Sequence, residues 1–350
     1  MRKYLLTSLF ALATAPALAG GVERSNQSMA ILFERGNYLE LGVSHTRPSV
    51  SGIENVGLGG QPSGNMSNSF WGLDLRFKGQ INEQLSYAII LDQPIGASVG
   101  YPAGTGYPFQ GSSGKIESTS LTGVVRYSFG NGFSAYGGLR AVRTSGSVNL
   151  TFPSPYTMST NTDTAYGYLV GVAYERPEIA ARVALTYHSR VKHTFDVTEQ
   201  GIAAPAFSTT IPESLNLEFQ TGIMEDTLLF GSVRWVRWSQ FDITPVLLGN
   251  SLVNYTKPTT TYTLGVGRRF NENWSGSVSL GYEKKGGGTL GNLGPTDGYK
   301  SIGVGASYTM DNIRISGGVQ YRRLGGGQTA VGAFSGNSAV SAGVRVGFSF

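Results

Sequence analysis

The sequence contains no cysteine and only three histidines, and charged residues make up 14% of its 350 positions. Without thiols there is no disulfide framework and no thiolate metal site. No stretch supplies the ~18 consecutive apolar residues that a membrane-spanning helix needs. The formal net charge is +5, and discounting Arg2 and Lys3 leaves 5 − 2 = +3. That excess is too small to draw the chain to nucleic acid. What the sequence does hold is glycine, 50 residues of it. Low charge with this much glycine and strong apolar patterning excludes both a disordered chain and a helical protein.

Residues 1–19, MRKYLLTSLFALATAPALA, read as a secretory signal. Arg2 and Lys3 form the basic start, residues 5–12 the apolar middle, and Ala17-Leu18-Ala19 a small-residue cleavage site before Gly20. A membrane anchor fits less well, because the apolar run is short and Ser8, Thr14 and Pro16 interrupt its surroundings. The mature chain is then expected to begin near Gly20, outside the inner membrane.

The final segment, AVSAGVRVGFSF, shows the dominant pattern. Val340, Ala342, Val344, Val346, Phe348 and Phe350 share one face; Ser341, Gly343, Arg345, Gly347 and Ser349 share the other. This is strict period two over about a dozen residues, longer than the ~5–6 of an ordinary strand. TTTYTLGVGRRF and SLTGVVRYSF repeat it. Fourteen such segments are expected, near 37–49, 67–80, 85–98, 115–129, 133–149, 162–175, 179–196, 209–224, 226–243, 258–270, 273–285, 297–310, 312–324 and 336–350. Connections alternate between short turns (81–84, 130–132, 176–178, 225, 271–272, 311) and long Gly/Ser/Pro/Asn-rich loops.

Lipid offers no partners to backbone N–H and C=O groups, so only helices or closed barrels span it. The expected fold is therefore all-β: a transmembrane outer-membrane β-barrel of 14 antiparallel strands over 37–350, preceded by a short N-terminal lumen segment at 20–36. Short turns on one side and long loops on the other place both termini on the periplasmic side. Phe129, Phe133, Phe270, Trp274 and Tyr308 flank the short turns as an interfacial girdle. A soluble all-β protein would need a large apolar core, whereas the second face of most strands is Gly, Ser, Thr and Arg, which suits a lumen. A closed barrel has no free edge, so a monomer suffices. The C-terminal Phe350 resembles the terminal aromatic that the barrel assembly machinery reads.

Several segments resemble the FadL family of outer-membrane transporters for long-chain fatty acids and other hydrophobic molecules. VALTYHSRVKHTFD (residues 183–196) is similar to that family's Tyr-x-Ser-x-x-x-His strand, through Tyr187, Ser189 and His193. IPESLNLEFQTG (211–222) resembles its Pro-x-Ser strand start. LLFGSVRWVRWSQFDI (228–243) resembles the strand ending Trp-Ser-x-Phe, and LGVGRRFNENWSGSVSLGYEKKG the following Asn-x-x-Trp hairpin. The four occur in order over roughly 180–310. The resemblance implies a plugged fourteen-stranded barrel that binds a hydrophobic ligand and releases it sideways at a kinked third strand. LSYAIILDQPIGASVGYP (85–102) is the third strand, and Pro94, which donates no ladder bond, with Gly96 would mark that gap. A strand that simply ends at Asp92 is the competing reading.

The chain departs from the family in its plug, which is abbreviated and lacks the Asn-Pro-Ala motif. SMAILF would enter the lumen with Met29, Ile31, Leu32 and Phe33 facing the ligand, or else extend the first strand. Arg182, Thr186, His188, Arg190 and Lys192 are expected on the lumen face of the seventh strand. With Arg126 and Arg234 they offer cations for a fatty-acid carboxylate, or lumen salt bridges. His188 and His193 are expected on opposite faces, and so are His188 and Ser189, leaving neither a metal set nor a catalytic triad. The glycine runs at 286–288 and 325–327 lack a phosphate-loop lysine and read as flexible loop tips. No cofactor is expected and no enzymatic constellation is evident. The expected function is passive uptake of a long-chain fatty acid or similar molecule; a general diffusion porin or structural surface barrel is the alternative.

Overall fold

The computed structural model describes residues 22–350; the expected signal at 1–19 lies outside the described residues. Among them no helix is long and apolar enough to cross a membrane, and the chain crosses with strands. Fourteen barrel strands follow in order: β1 Tyr38–Ser49, β2 Phe70–Gln80, β3 in two pieces Leu85–Asp92 and Gly96–Gly100, β4 Ser113–Gly130, β5 Phe133–Leu150 and β6 Asp163–Arg176. β7 comprises Ala181–His188 and Val191–Glu199, and β8 Ile202–Ile211 and Ser214–Met224. β9 is Thr227–Val236, β10 Thr259–Arg269, β11 Trp274–Glu283, β12 Thr296–Met310, β13 Ile313–Gly326 and β14 Ser338–Ser349. Each pairs antiparallel with its neighbour, and β1 pairs with β14 from Tyr38↔Ser349 to Ser49↔Ser338, which closes the barrel.

The alternation sets the two surfaces. Leu41, Val43, Val125, Val170, Leu264, Val304 and Val344 point outward and are exposed, as a lipid-facing band requires. Glu40, Lys78, Thr122, Asn216, Ser279 and Ser316 point inward and are buried. At the short-turn end Phe129, Phe133, Phe270 and Trp274 are exposed on the outer surface. Trp274 packs on Tyr308 and Phe133 on Tyr174. Phe350 stacks on Phe77 at the same end.

Three local features depart from strict alternation. In β7 both His188 and Ser189 are buried, a one-residue slip that inverts everything after it. Val191 and His193 therefore face inward, while Arg190 and Lys192, expected in the lumen, face outward. β8 breaks at Pro212 and Glu213, at the same level, since His188 pairs with Ser214 and Val191 with Ile211. The ninth strand, expected to reach residue 243, ends at Val236. A 3-10 turn at Trp238–Gln240 then folds Trp238 and Phe241 inward, each 1% exposed.

The long loops form a packed lid rather than loose tips. Val50, Met66, Tyr101, Tyr107, Phe109, Val331 and Phe334 share an apolar cluster with the upper strand ends. Burial pushes the Tyr101 phenol above its ordinary value, and its O–H donates to the Asn292 carbonyl at 2.5 Å. The glycine runs are part of this packing. Asp297 accepts from the amides of Gly286 and Gly287 at 2.8 and 2.7 Å. A Cβ on Gly326 would lie 1.9 Å from the Phe334 carbonyl oxygen, so only glycine permits this backbone approach. Gly326→Ala is expected to loosen the lid and destabilise the barrel by about 1–3 kcal/mol, the usual scale of overpacking. The check is the temperature at which the folded gel band disappears.

Candidate functional site

Residues 22–34 lie inside the barrel and are pinned to it almost residue by residue. Glu23 pairs with the buried Arg234 guanidinium, which also donates to Ser214 at 3.1 Å and to Asn216. Ser25 donates to Asp92 at 2.6 Å, Asn216 donates to the Asn26 carbonyl at 2.8 Å, and Ser28 donates to Glu218. Arg140 reaches both Gln27 and, at 2.8 Å, the Ser189 carbonyl. The 3-10 turn Ala30–Phe33 follows, with Ile31, Leu32 and Phe33 buried. Met29 and these three join Tyr38, Ile90, Val124 and Leu169 in an apolar plug across the lower lumen. Arg126 and Arg182 place their guanidinium carbons 4.6 and 4.5 Å from the Phe33 ring centroid, a cation–π clamp. Arg126 also pairs with Glu175 and donates to the Leu32 carbonyl at 3.3 Å.

Above the plug lies an apolar cavity, with about 780 Å³ of empty space including its open mouth. Val22, Ile95 and Phe241 line it together with Ile116, and Phe195 and Phe207 line it together with Val148. The sequence-predicted residues divide sharply. Met29, Ile31, Leu32 and Phe33 fill the plug, and Arg126, Arg182 and Arg234 hold the N-terminal segment; none of the seven lines the cavity. Sequence reasoning missed the aromatic trio. Phe195 and Phe207 sit on stretches read as strand and loop, and Phe241 at the end of a strand that stops earlier. The inward turn after Val236 had one available signal: Trp238 and Phe241 stand three apart, a turn spacing rather than a strand spacing.

The third strand is interrupted at residues 93–95, which include Pro94, and Gly96 begins its upper piece. Its lower piece pairs with β2 only from Leu75↔Leu91 to Gln80↔Ser86. The upper piece pairs with β4, from Gly96↔Glu117 to Gly100↔Ser113. Residues 70–74 of β2 keep their β1 partners but have no ladder on the β3 side among the described residues. Contact resumes higher up, where the Asn68 amide donates to the Ser98 carbonyl at 3.1 Å. The β2–β3 ladder is thus interrupted over a bounded window. The N-terminal segment satisfies the backbone that the break releases: Arg24 N–H donates to Pro94 O at 3.0 Å and Gly96 N–H to Val22 O at 2.8 Å. The Arg24 guanidinium donates to Gly96 O at 2.9 Å and lies 3.4 Å from the Phe70 ring centroid, across the window. Inside it, Glu40, Asp74, Arg76 and Arg345 form an ion-pair network at 3.4–3.7 Å.

The other histidine geometry also differs from expectation. Because of the Ser189 slip, His188 and His193 both face inward, 1% and 0% exposed. His193 Nδ1 contacts Asp163 at 2.7 Å and Nε2 contacts Thr144 at 3.2 Å. Among the described residues no group of three or more His, Asp or Glu could hold a metal ion.

A closed fourteen-stranded barrel filled by its own N-terminal segment, with an apolar cavity above the filling, defines a plugged outer-membrane β-barrel. The chain belongs to the outer membrane protein transport protein family (OMPP1/FadL/TodX), whose model matches residues 29–323. By that membership it is an outer-membrane transporter of hydrophobic compounds, in a family of transport channels rather than enzymes. Among solved structures it is similar to a Pseudomonas aeruginosa FadL homologue, with TM-score 0.76 and 17% identity over 96% of this chain and 97% of that one. It is also similar to the Pseudomonas putida toluene transporter TodX, at TM-score 0.69 and 13% identity over 97% and 96%. The Ralstonia pickettii toluene transporter TbuX gives TM-score 0.67 and 13% identity over 92% and 91%. Among curated protein sequences none matches the chain significantly.

Proposed function

We propose that the chain takes hydrophobic small molecules inward across the outer membrane without an energy source. The ligand enters from the long-loop side, rests in the apolar cavity above the plug, and leaves sideways through the window beside Pro94 into lipid. The observation that carries this reading is the join between the two: Ile95 and Ala97, on the broken strand, line the cavity, and the missing β2–β3 ladder flanks the same break. An apolar molecule gains by passing from cavity to membrane without crossing water.

A long-chain fatty acid is the cargo that the sequence resemblance implies. Its carboxylate loses the three arginines expected to hold it, since Arg126, Arg182 and Arg234 serve the plug. Lys115 is a lining cation, and it pairs with Glu117 at 2.7 Å with both side chains more than half exposed. We therefore favour uncharged cargo, of the kind that the named toluene transporters carry. The test is equilibrium binding of labelled p-xylene and of a labelled fatty acid to the purified barrel, beside its conductance in a bilayer. Saturable binding of p-xylene with little steady conductance is expected. Large steady conductance with binding of neither would favour the diffusion porin. Phe207→Ala, which removes one cavity wall, is expected to weaken p-xylene binding by about tenfold, since a lost aromatic contact is worth roughly 1 kcal/mol or more.

A further inference from the structure

The lining of the cavity is mainly apolar, and among its hydroxyls Thr209 stands apart. Thr209 of β8 lines it, is 8% exposed, and its hydroxyl has no hydrogen-bond partner among the described residues. A buried hydroxyl is ordinarily paired, because water is lost to it and nothing replaces the bond. Its ladder partner on β7 is His193. His193 Nδ1 contacts Asp163 and its Nε2 contacts the Thr144 hydroxyl 3.2 Å away; in the tautomer that donates Nδ1–H to Asp163, Nε2 accepts from Thr144. Thr144 also lines the cavity. Its hydrogen is engaged, and its oxygen lone pairs are left as acceptors. Thr160, another lining hydroxyl, is already committed: it accepts from Gly146 N–H at 3.0 Å and donates to the Asn161 carbonyl at 2.8 Å.

We propose that Thr209 and Thr144 form a recognition point for a single hydroxyl group on an otherwise apolar, uncharged ligand such as a phenol or a hydrophobic alcohol. The ligand hydroxyl accepts from Thr209 and donates to the Thr144 oxygen, which His193 and Asp163 hold in orientation. A hydrocarbon fits the same walls but leaves Thr209 unpaired. A carboxylate meets two neutral hydroxyls and a histidine backed by an aspartate, a setting that does not balance its charge. The inference rests on the cavity being the ligand site, and it adds the chemistry that the ligand carries.

The test uses p-cresol and p-xylene, which differ by a hydroxyl in place of a methyl, bound to the full-length purified barrel. Thr209→Val keeps the β-branched shape and removes the hydroxyl. It is expected to weaken p-cresol about fivefold, the scale of one net hydrogen bond, and to leave p-xylene unchanged or slightly tighter. Thr209→Ser, which restores a hydroxyl, should recover p-cresol binding. Equal shifts for both ligands, or none for either, would overturn the recognition point while leaving the transport reading intact. If the unsubstituted barrel binds neither compound, the cavity is not the ligand site and both readings fall.

Discussion

Glu23→Ala is expected to turn the barrel from a closed channel into an intermittently conducting one. Glu23 and Arg234 are 3% and 6% exposed and stand 211 residues apart in the chain. Their pairing joins the N-terminal segment to the β9 wall. Removing the carboxylate leaves the guanidinium with Ser214 and Asn216 but no counter-charge, an uncompensated buried cation that costs about 3–5 kcal/mol. That exceeds what any single remaining contact of the segment contributes, a net ~1 kcal/mol for an ordinary hydrogen bond. The barrel wall itself keeps its ladders, so the segment and not the strands should give way. Single-channel recording should show long open events absent from the unsubstituted chain, with the barrel still migrating as folded. A silent bilayer trace from folded protein would show that the apolar plug around Phe33 holds without the upper anchor.

The second large effect is expected at the window. Pro94→Val with Gly96→Val restores a ladder donor and supplies two strand-forming residues where the third strand breaks. A Cβ on Gly96 would meet the Arg24 guanidinium at 3.0 Å, so the arginine must shift from its place above Phe70. β3 is then free to pair with residues 70–74 of β2, whose edge otherwise faces the window. In lipid each recovered backbone pair is worth more than in water, which favours closure. Uptake of labelled p-xylene into cells carrying the variant is expected to fall about tenfold, equivalent to ~1.4 kcal/mol on the exit barrier. Equilibrium binding in the cavity should stay within a small factor. Undiminished uptake would sink the lateral exit and direct attention to a route past the plug.

The strands were legible because lipid and lumen impose period two on every one of them, and the residues say so directly: Val340 to Phe350 outward, Ser341 to Ser349 inward. Chain connectivity was legible too, since short turns and long loops alternate. The break at Pro94 was visible for a local reason, the missing N–H of proline. Its consequence was not, because an open window depends on whether β2 finds another partner, and that is settled across the sheet. The slip at Ser189 left no local mark: either phase of VALTYHSRVKHTFD reads as a good strand, so Arg190, Lys192 and His193 were placed on the wrong faces.

The amino-acid sequence by itself determined that this chain is a fourteen-stranded transmembrane barrel, because alternation and turn length are properties of neighbouring residues, and its motif resemblance pointed to a transport family. Tertiary structure alone decided what the lumen arginines contact and where the apolar cavity lies. Arg126, Arg182 and Arg234 find Phe33, Glu175 and Glu23 only after the barrel closes. Phe195, Phe207 and Phe241 converge from three elements to enclose a space that none of them outlines alone. Burial is a property of the assembled molecule, and a cation read as a ligand contact from its strand face becomes a plug anchor once its partner arrives from the other end of the chain.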